Sequence, residues 1–317
     1  MTRPTPATHS ILAAAVLFAS IGRSDGQDKA AELRGIGLTV TSVTIAVTVQ
    51  TKRGQFVNDL NADDFTIYEN GAKQALTHFQ HDFRAPSSLT ILLDVSGSMA
   101  LQDKMKESRD ALRRFITGSL NRKDETALLI FADGEVEVAS GYSEDSSGLL
   151  EVLAKTEAYG KTALNDAVAA SPEFARRGRY DKKALLLITD GIENDSQYSP
   201  AEAADIAKKV DVPIYTIGYK IPLDEQLLSK HKKAAGLTTI GIVESLDNFS
   251  RATGGKAFFA DTPDGLDKAL EEINREMGHQ YIMGYTSHAA ADVKYRKIKV
   301  VAKDKKLLVR TREGYEF

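Results

Sequence analysis

Five oxygen-bearing side chains between positions 94 and 190 are the residues of this sequence best placed to do chemistry. Asp94, Ser96 and Ser98 alternate in the string Leu93-Asp-Val-Ser-Gly-Ser-Met99, where Gly97 lets the backbone turn closely between them. Thr162 lies in Gly160-Lys-Thr-Ala-Leu164, and Asp190 ends the run Leu185-Leu-Leu-Ile-Thr-Asp190. Asp94 and Asp190 each follow a short apolar run. If those runs are parallel strands, their carboxyl ends open onto the crevice in which open α/β sheets bind ligands. The chemistry on offer is the holding of a ligand by carboxylate and hydroxyl oxygens. Ser or Asp after a strand often does no more than cap the next helix, so only the five together mark a site.

Neighbouring polar residues read differently. Asp166 suits a helix start, as a partner for the dipole or for backbone hydrogen bonds. Glu193, Asn194 and Asp195 read as a solvated loop at the rim. His78 and His81 stand three apart on an expected strand, which turns them to opposite faces and excludes a shared metal. Enzyme classes fit poorly. Gly160-Lys161-Thr162 looks like the end of a phosphate-binding loop, but that pattern needs a glycine where Lys155 stands, and a strand where a helix is expected. A phosphatase would need a second aspartate at Ser96. A serine hydrolase would need Gly-x-Ser-x-Gly and a later histidine.

The elements around these residues alternate. Leu89–Leu93 is a continuous apolar run, as in a strand buried on both faces. A helix is expected over Asp103–Thr117, with Met105, Leu112, Phe115 and Ile116 on one side. Strand Thr126–Phe131 follows, with a hairpin partner near Val136–Ala139, then helices over Leu149–Lys155 and Ala163–Arg177. Strands Ala184–Ile188, Pro213–Ile217 and Ala257–Phe259 alternate with helices over Ala201–Val210, near Phe249, and over Leu266–Met277. This order predicts an α/β fold, a doubly wound and mostly parallel sheet over residues 87–280. Within it, residues 220–247 read as a solvated excursion, basic at Lys230–Lys233 and β-like over Gly236–Val243.

Both flanks are β. Leu38–Val49 is rich in β-branched residues. Phe65–Glu69, Asn70-Gly71 and a second run to Phe79 signal a hairpin, because Asn-Gly supplies the positive φ of a type I′ turn. After the α/β region, strands are expected over Gln280–Thr286, Tyr295–Ala302 and Leu307–Thr311, the last two as a hairpin through Lys303–Lys306. A lone three-stranded piece would be marginal. The N-terminal module (34–85) and the C-terminal strands (281–317) are therefore expected to join in one β-sandwich-like module into which the α/β domain is inserted. Separate docking of each flank is the alternative.

Composition narrows the class. Of 317 residues, 42% are hydrophobic and 27% charged, which describes a globular chain. A net charge of −3 removes the electrostatic case for a nucleic-acid partner. Arg3, the apolar run Ile11–Ile21 and the small residues Ser24 and Gly26 predict a signal peptide over 1–26. An uncut N-terminal anchor is the alternative. No later run is apolar enough to span a membrane. The absence of cysteine excludes thiolate catalysis and cysteine-ligated zinc. An exported protein without disulfides points to a bacterial periplasmic or secreted protein.

Asp-x-Ser-x-Ser, a distant Thr and a distant Thr-Asp-Gly resemble the metal-ion-dependent adhesion site of von Willebrand factor type A domains, a Rossmann-like fold. The resemblance spans residues 87–280, and Asp94, Ser96, Ser98, Thr162 and Asp190 fill all five positions. The flanks resemble those of bacterial exported proteins of this kind at Asp64-Phe65 and Glu69-Asn70-Gly71, and again at Tyr295–Ile298 and Arg312–Tyr315. The resemblance implies a divalent cation, Mg²⁺ foremost with Mn²⁺ or Ca²⁺ as alternatives, held directly by Ser96, Ser98 and Thr162 and through water by Asp94 and Asp190. Hard cations of this type take oxygen donors and keep several waters. It further implies a non-enzymatic adhesion module whose cation accepts an Asp or Glu carboxylate from a protein partner. A module whose metal only stabilises the fold is the alternative, with a Mg²⁺-dependent hydrolase behind it. In the family the last helix can shift on ligand binding. Here that helix, Leu266–Met277, would pass movement to the C-terminal strands.

Overall fold

The computed structural model describes residues 41–222, 238–288 and 293–316. The expected signal segment, the first residues of the N-terminal module and the basic stretch Lys230–Lys233 lie outside them. In chain order the strands are β1 (Thr41–Gln50), β2 (Phe65–Glu69), β3 (Ala72–Gln74), β4 (Leu76–Gln80), β5 (Ser87–Asp94), β6 (Glu125–Ala132), β7 (Glu135–Ser143), β8 (Lys182–Thr189), β9 (Ile214–Tyr219), β10 (Ala257–Ala260), β11 (Tyr281–Ser287), β12 (Tyr295–Ala302), β13 (Leu308–Arg310) and β14 (Gly314–Glu316). The helices are α1 (Lys104–Gly118), α2 (Ser147–Lys155), α3 (Leu164–Ala175), α4 (Pro200–Ala207), α5 (Thr239–Thr253) and α6 (Pro263–Gly278). No helix among the described residues is long and apolar enough to cross a membrane.

Six strands form the central sheet in the order β10-β9-β8-β5-β6-β7, parallel except for β7. Every residue of β5 is buried, because helices cover both faces of the sheet. Side-chain alternation divides the strand between two cores. Leu89, Ile91 and Leu93 join Leu112 and Phe115 of α1, Leu149 and Leu153 of α2, and Leu266, Leu270 and Ile273 of α6. Leu92 faces the other way, toward Leu164 and Val168 of α3, Ala203 and Ala207 of α4, and Leu246 and Phe249 of α5. Each such aliphatic side chain contributes about 1.5–3 kcal/mol on burial. The chain runs from β5 outward to β6 and β7, then returns to place β8 on the other side of β5. The switch point of the sheet thus lies between β5 and β8, and Asp94 and Asp190 stand at its carboxyl end.

The remaining strands build a β-sandwich from the two ends of the chain. One sheet has the order β13-β1-β11-β4 and the other β14-β12-β2-β3. In the first, β1 pairs antiparallel with β11 from Thr41↔Ser287 to Val47↔Tyr281. In the second, β12 pairs with β2 from Ile298↔Glu69 to Ala302↔Phe65. Val43, Ile45, Val47, Ile67, Tyr281, Met283, Ile298 and Val300 close the core between them. Asn70 and Gly71 have φ of 49° and 84°, the two positive values a type I′ turn demands.

Three expectations are corrected. The run after Gly71 is no single strand, since β3 pairs with β2 whereas β4 crosses to pair with β11. Nor are β12 and β13 a hairpin: β13 pairs with the end of β1, through Val49↔Val309, in the opposite sheet. Alternating side chains fit a hairpin and a sheet-crossing arch equally well, and the edge offered by the ten-residue β1 decides between them. Finally, residues 239–243 are not β-like. They open α5, capped by the Thr238 side chain on the Gly241 N–H at 2.9 Å and stopped at Gly254, φ 87°. Ile242, Leu246 and Phe249 recur at helical spacing and are buried, which overrides the strand preference of Thr239, Ile240 and Val243.

Candidate functional site

Asp94 ends β5 and turns back on its own loop. Its Oδ1 accepts the Ser96 N–H at 2.9 Å, and its Oδ2 accepts the Thr189 hydroxyl at 2.6 Å from the end of β8. This fixes the carboxylate across the switch point. The turn leaves the Ser96 and Ser98 hydroxyls 3.1 Å apart. Ser96 and Asp94 are buried, and Ser98 is partly exposed.

The Thr162 loop is seated directly on this one. Tyr159 N–H donates to the Val95 carbonyl at 2.6 Å, and Gly97 N–H donates to the Gly160 carbonyl at 3.0 Å. A Cβ at Gly97 would stand 3.1 Å from that carbonyl, so glycine permits the close approach. Asp133, in the β6–β7 turn, grips the loop from outside: its Oδ1 accepts the Lys161 N–H at 2.7 Å, and its own N–H donates to the Lys161 carbonyl at 2.8 Å. Thr162 is in turn bound to the third loop. Its N–H donates to Asn194 Oδ1 at 3.0 Å, and its carbonyl accepts the N–H groups of Asn194 and Asp195 at 3.2 and 3.0 Å. The three loops carrying Asp94, Ser96, Ser98, Thr162 and Asp190 are therefore cross-bonded into one crevice.

Asp190 is fully buried. Its Oδ1 accepts the Ile192 N–H at 3.1 Å, and its Oδ2 receives the Lys104 ammonium at 2.6 Å. Burial, and then the nearby charge of Asp190, push the Asp94 carboxyl above its usual range. Two carboxylates and three hydroxyls make an all-oxygen donor set, which fits a hard divalent cation. Among the described residues no cluster of three or more His, Cys, Asp and Glu side chains is placed to hold a metal.

Several contributors escaped the sequence reading. Thr189 was visible only as the residue before Asp190. Asn194, read as solvated loop, binds Thr162 through its side chain. Lys104 had one available signal, a lysine in the first turn of a helix, where the dipole disfavours a cation. Asp166 serves as a hydrogen-bond partner, accepting the N–H groups of Gln197 and Tyr198 at 3.0 Å. Glu193 folds inward to accept the N–H groups of Asp195 and Ser196 at 2.9 Å. His78 is exposed on β4, and His81, beyond its end, stacks on Tyr281.

An α/β sheet with oxygen donors crowded at its switch point defines the class of domain. Residues 89–193 match the family described as von Willebrand factor type A domain, a stretch that takes in all five donors. Residues 89–193 are therefore read as a von Willebrand factor type A segment within this chain. No curated protein sequence matches it. Among solved structures it is similar to BatB from Bacteroides thetaiotaomicron, at 17% identity and TM-score 0.48, covering 60% of this chain and 98% of that one. It is also similar to proximal thread matrix protein 1 of the mussel byssus, at 19% identity and TM-score 0.48, covering 66% of this chain and 50% of that one. The pilus adhesin SpaC from Lactobacillus rhamnosus GG, in its open conformation, is similar at 11% identity and TM-score 0.50, covering 82% of this chain and 49% of that one. The chain thus spans about half the length of the byssus protein and of the adhesin.

Proposed function

We infer that this is an exported, non-enzymatic protein-binding module that captures an acidic side chain of a partner through a divalent cation, Mg²⁺ foremost. The observation that supports the reading is the cross-bonding of the three loops that carry Asp94, Ser96, Ser98, Thr162 and Asp190, with both carboxylates fully buried. Ser96, Ser98 and Thr162 would hold the cation directly, with Asp94 and Asp190 behind them. A divalent cation held largely by neutral hydroxyls keeps enough charge, and an open position, to attract a partner's Asp or Glu. The protein's own part is to fix the donors. Asp94 is immobilised by Ser96 and Thr189, and Thr162 by Asn194, so little ordering is left for the moment of binding. The family match, which spans every donor, supports the same reading.

The test has two stages. Calorimetric titration with Mg²⁺ and Mn²⁺ should give saturable uptake by the wild type and none by Asp94→Ala. Capture from a native extract should then depend on Mg²⁺, and be lost in chelator and in Asp94→Ala. Uptake of the cation with equal recovery under all three conditions would leave the metal a purely structural role.

A further inference from the structure

Lys104 occupies a place that a lysine ordinarily avoids. It is the first residue of α1, where the helix dipole repels a cation, and it is only 4% exposed. Its ammonium lies 2.6 Å from Asp190 Oδ2 and 3.5 Å from the Ser98 carbonyl, so it reaches two of the three loops. The backbone is strained to bring it there. Gln102 and Asp103, neither of them glycine, adopt successive left-handed conformations at φ 55° and 59°. Such strain persists where the surroundings over-determine it, and the buried ion pair is the contact it delivers.

Resting on the proposed cation site, we propose that Lys104 sets the charge of that site, weakening its hold on the divalent cation and strengthening its pull on the partner's acid. With Asp94 and Asp190 ionised, Lys104 leaves the crevice one net negative charge. A divalent cation turns this to one net positive charge, and a single carboxylate from outside restores neutrality. Without Lys104 the loaded site would already be neutral, and the incoming acid would meet no net attraction. The cation and the acid thus stabilise each other's binding. This is a positive linkage, and by thermodynamic reciprocity each raises the affinity of the other by the same factor. Asp190 transmits the effect, because the carboxylate that would support the cation is the one the ammonium holds.

Mn²⁺ titrated by calorimetry into the full chain tests the assignment with no partner needed. Lys104→Met should take up Mn²⁺ more tightly than the wild type, on the order of tenfold, from the unit charge removed beside a dication. Lys104→Arg, which keeps the charge, should stay near the wild type. Mn²⁺ should also raise the thermal midpoint of Lys104→Met by more than that of the wild type. Where Lys104→Met fails to fold, Lys104→Gln carries the same comparison. Equal or weaker uptake by the neutral variants, beside normal uptake by the wild type, would make Lys104 a strut for Asp190 and overturn this inference while leaving the cation site standing. No uptake by the wild type would overturn both.

Discussion

The Thr189 hydroxyl donates to the Asp94 carboxylate at 2.6 Å, tying the last residue of β8 to the last residue of β5 across the point where the sheet reverses its order. Both residues are fully buried, so water cannot replace the bond. Thr189→Val keeps the shape and removes the donor. A hydrogen bond to a charged group is worth about 1.5–3 kcal/mol. Chemical denaturation in chelator should show a loss of at least that size, and an unchanged midpoint would mean that another donor replaces Thr189 at Asp94 Oδ2. The Gly191 N–H, which donates to the Thr189 hydroxyl at 2.9 Å, would lose its acceptor in the same variant.

A second buried cluster joins the α/β domain to the sandwich. Glu276, on α6 and fully buried, accepts the Tyr215 hydroxyl of β9 at 2.7 Å and pairs with Arg310 of β13. Gln280 donates to the same Tyr215 oxygen at 2.9 Å. Arg310→Met would leave a buried carboxylate without its cation, a change that costs about 3–5 kcal/mol. Glu276→Gln in the Arg310→Met background should recover part of that loss, because the unpaired charge is gone while Tyr215 keeps an acceptor. A double-mutant cycle by urea unfolding measures the difference. Simple additivity of the two substitutions would show that the pair is not coupled.

Most of the α/β frame was legible because its signals are local. Leu89–Leu93 and Leu185–Ile188 are apolar without interruption, as strands covered on both faces must be, and Asp94 and Asp190 mark where they end. What escaped was decided at a distance. The choice of β13 to pair with β1 depends on an edge that lies more than two hundred residues earlier in the chain. The inward turn of Lys104 depends on two left-handed residues, Gln102 and Asp103, whose identities do not announce that conformation. Thr189 acts only through Asp94, which the fold alone brings beside it.

The Asn70-Gly71 turn separates backbone strain from steric clash. Gly71 has φ 84°, yet a Cβ there would meet nothing within 4 Å. Gly71→Ala should therefore cost only the left-handed penalty, about 1–2 kcal/mol. At Gly254, with φ 87°, a Cβ would also meet the Arg312 nitrogen at 2.6 Å. Gly254→Ala should be the more damaging of the two by thermal unfolding. Equal losses would mean that the chain around Arg312 yields without cost.

Acid should weaken the fold through two histidines near the base of the sandwich. The His81 ring stacks on Tyr281 with centroids 4.0 Å apart, and His279 stacks on Phe56 at 4.7 Å. Burial, then Lys182, lowers the affinity of His81 for a proton; burial, then Arg275, does so for His279. Both pKa values therefore lie below the ordinary 6.5. The unfolded chain takes up these protons first, so the stability they contribute is complete above 6.5 and is lost as pH falls toward the folded-state values. The thermal midpoint of the wild type should thus fall between about pH 7.5 and about pH 5.5. The fall should be smaller in His81→Phe/His279→Phe, where rings that cannot be protonated preserve both stacks. The carboxylates are common to both proteins, so an equal fall would assign the acid sensitivity to them.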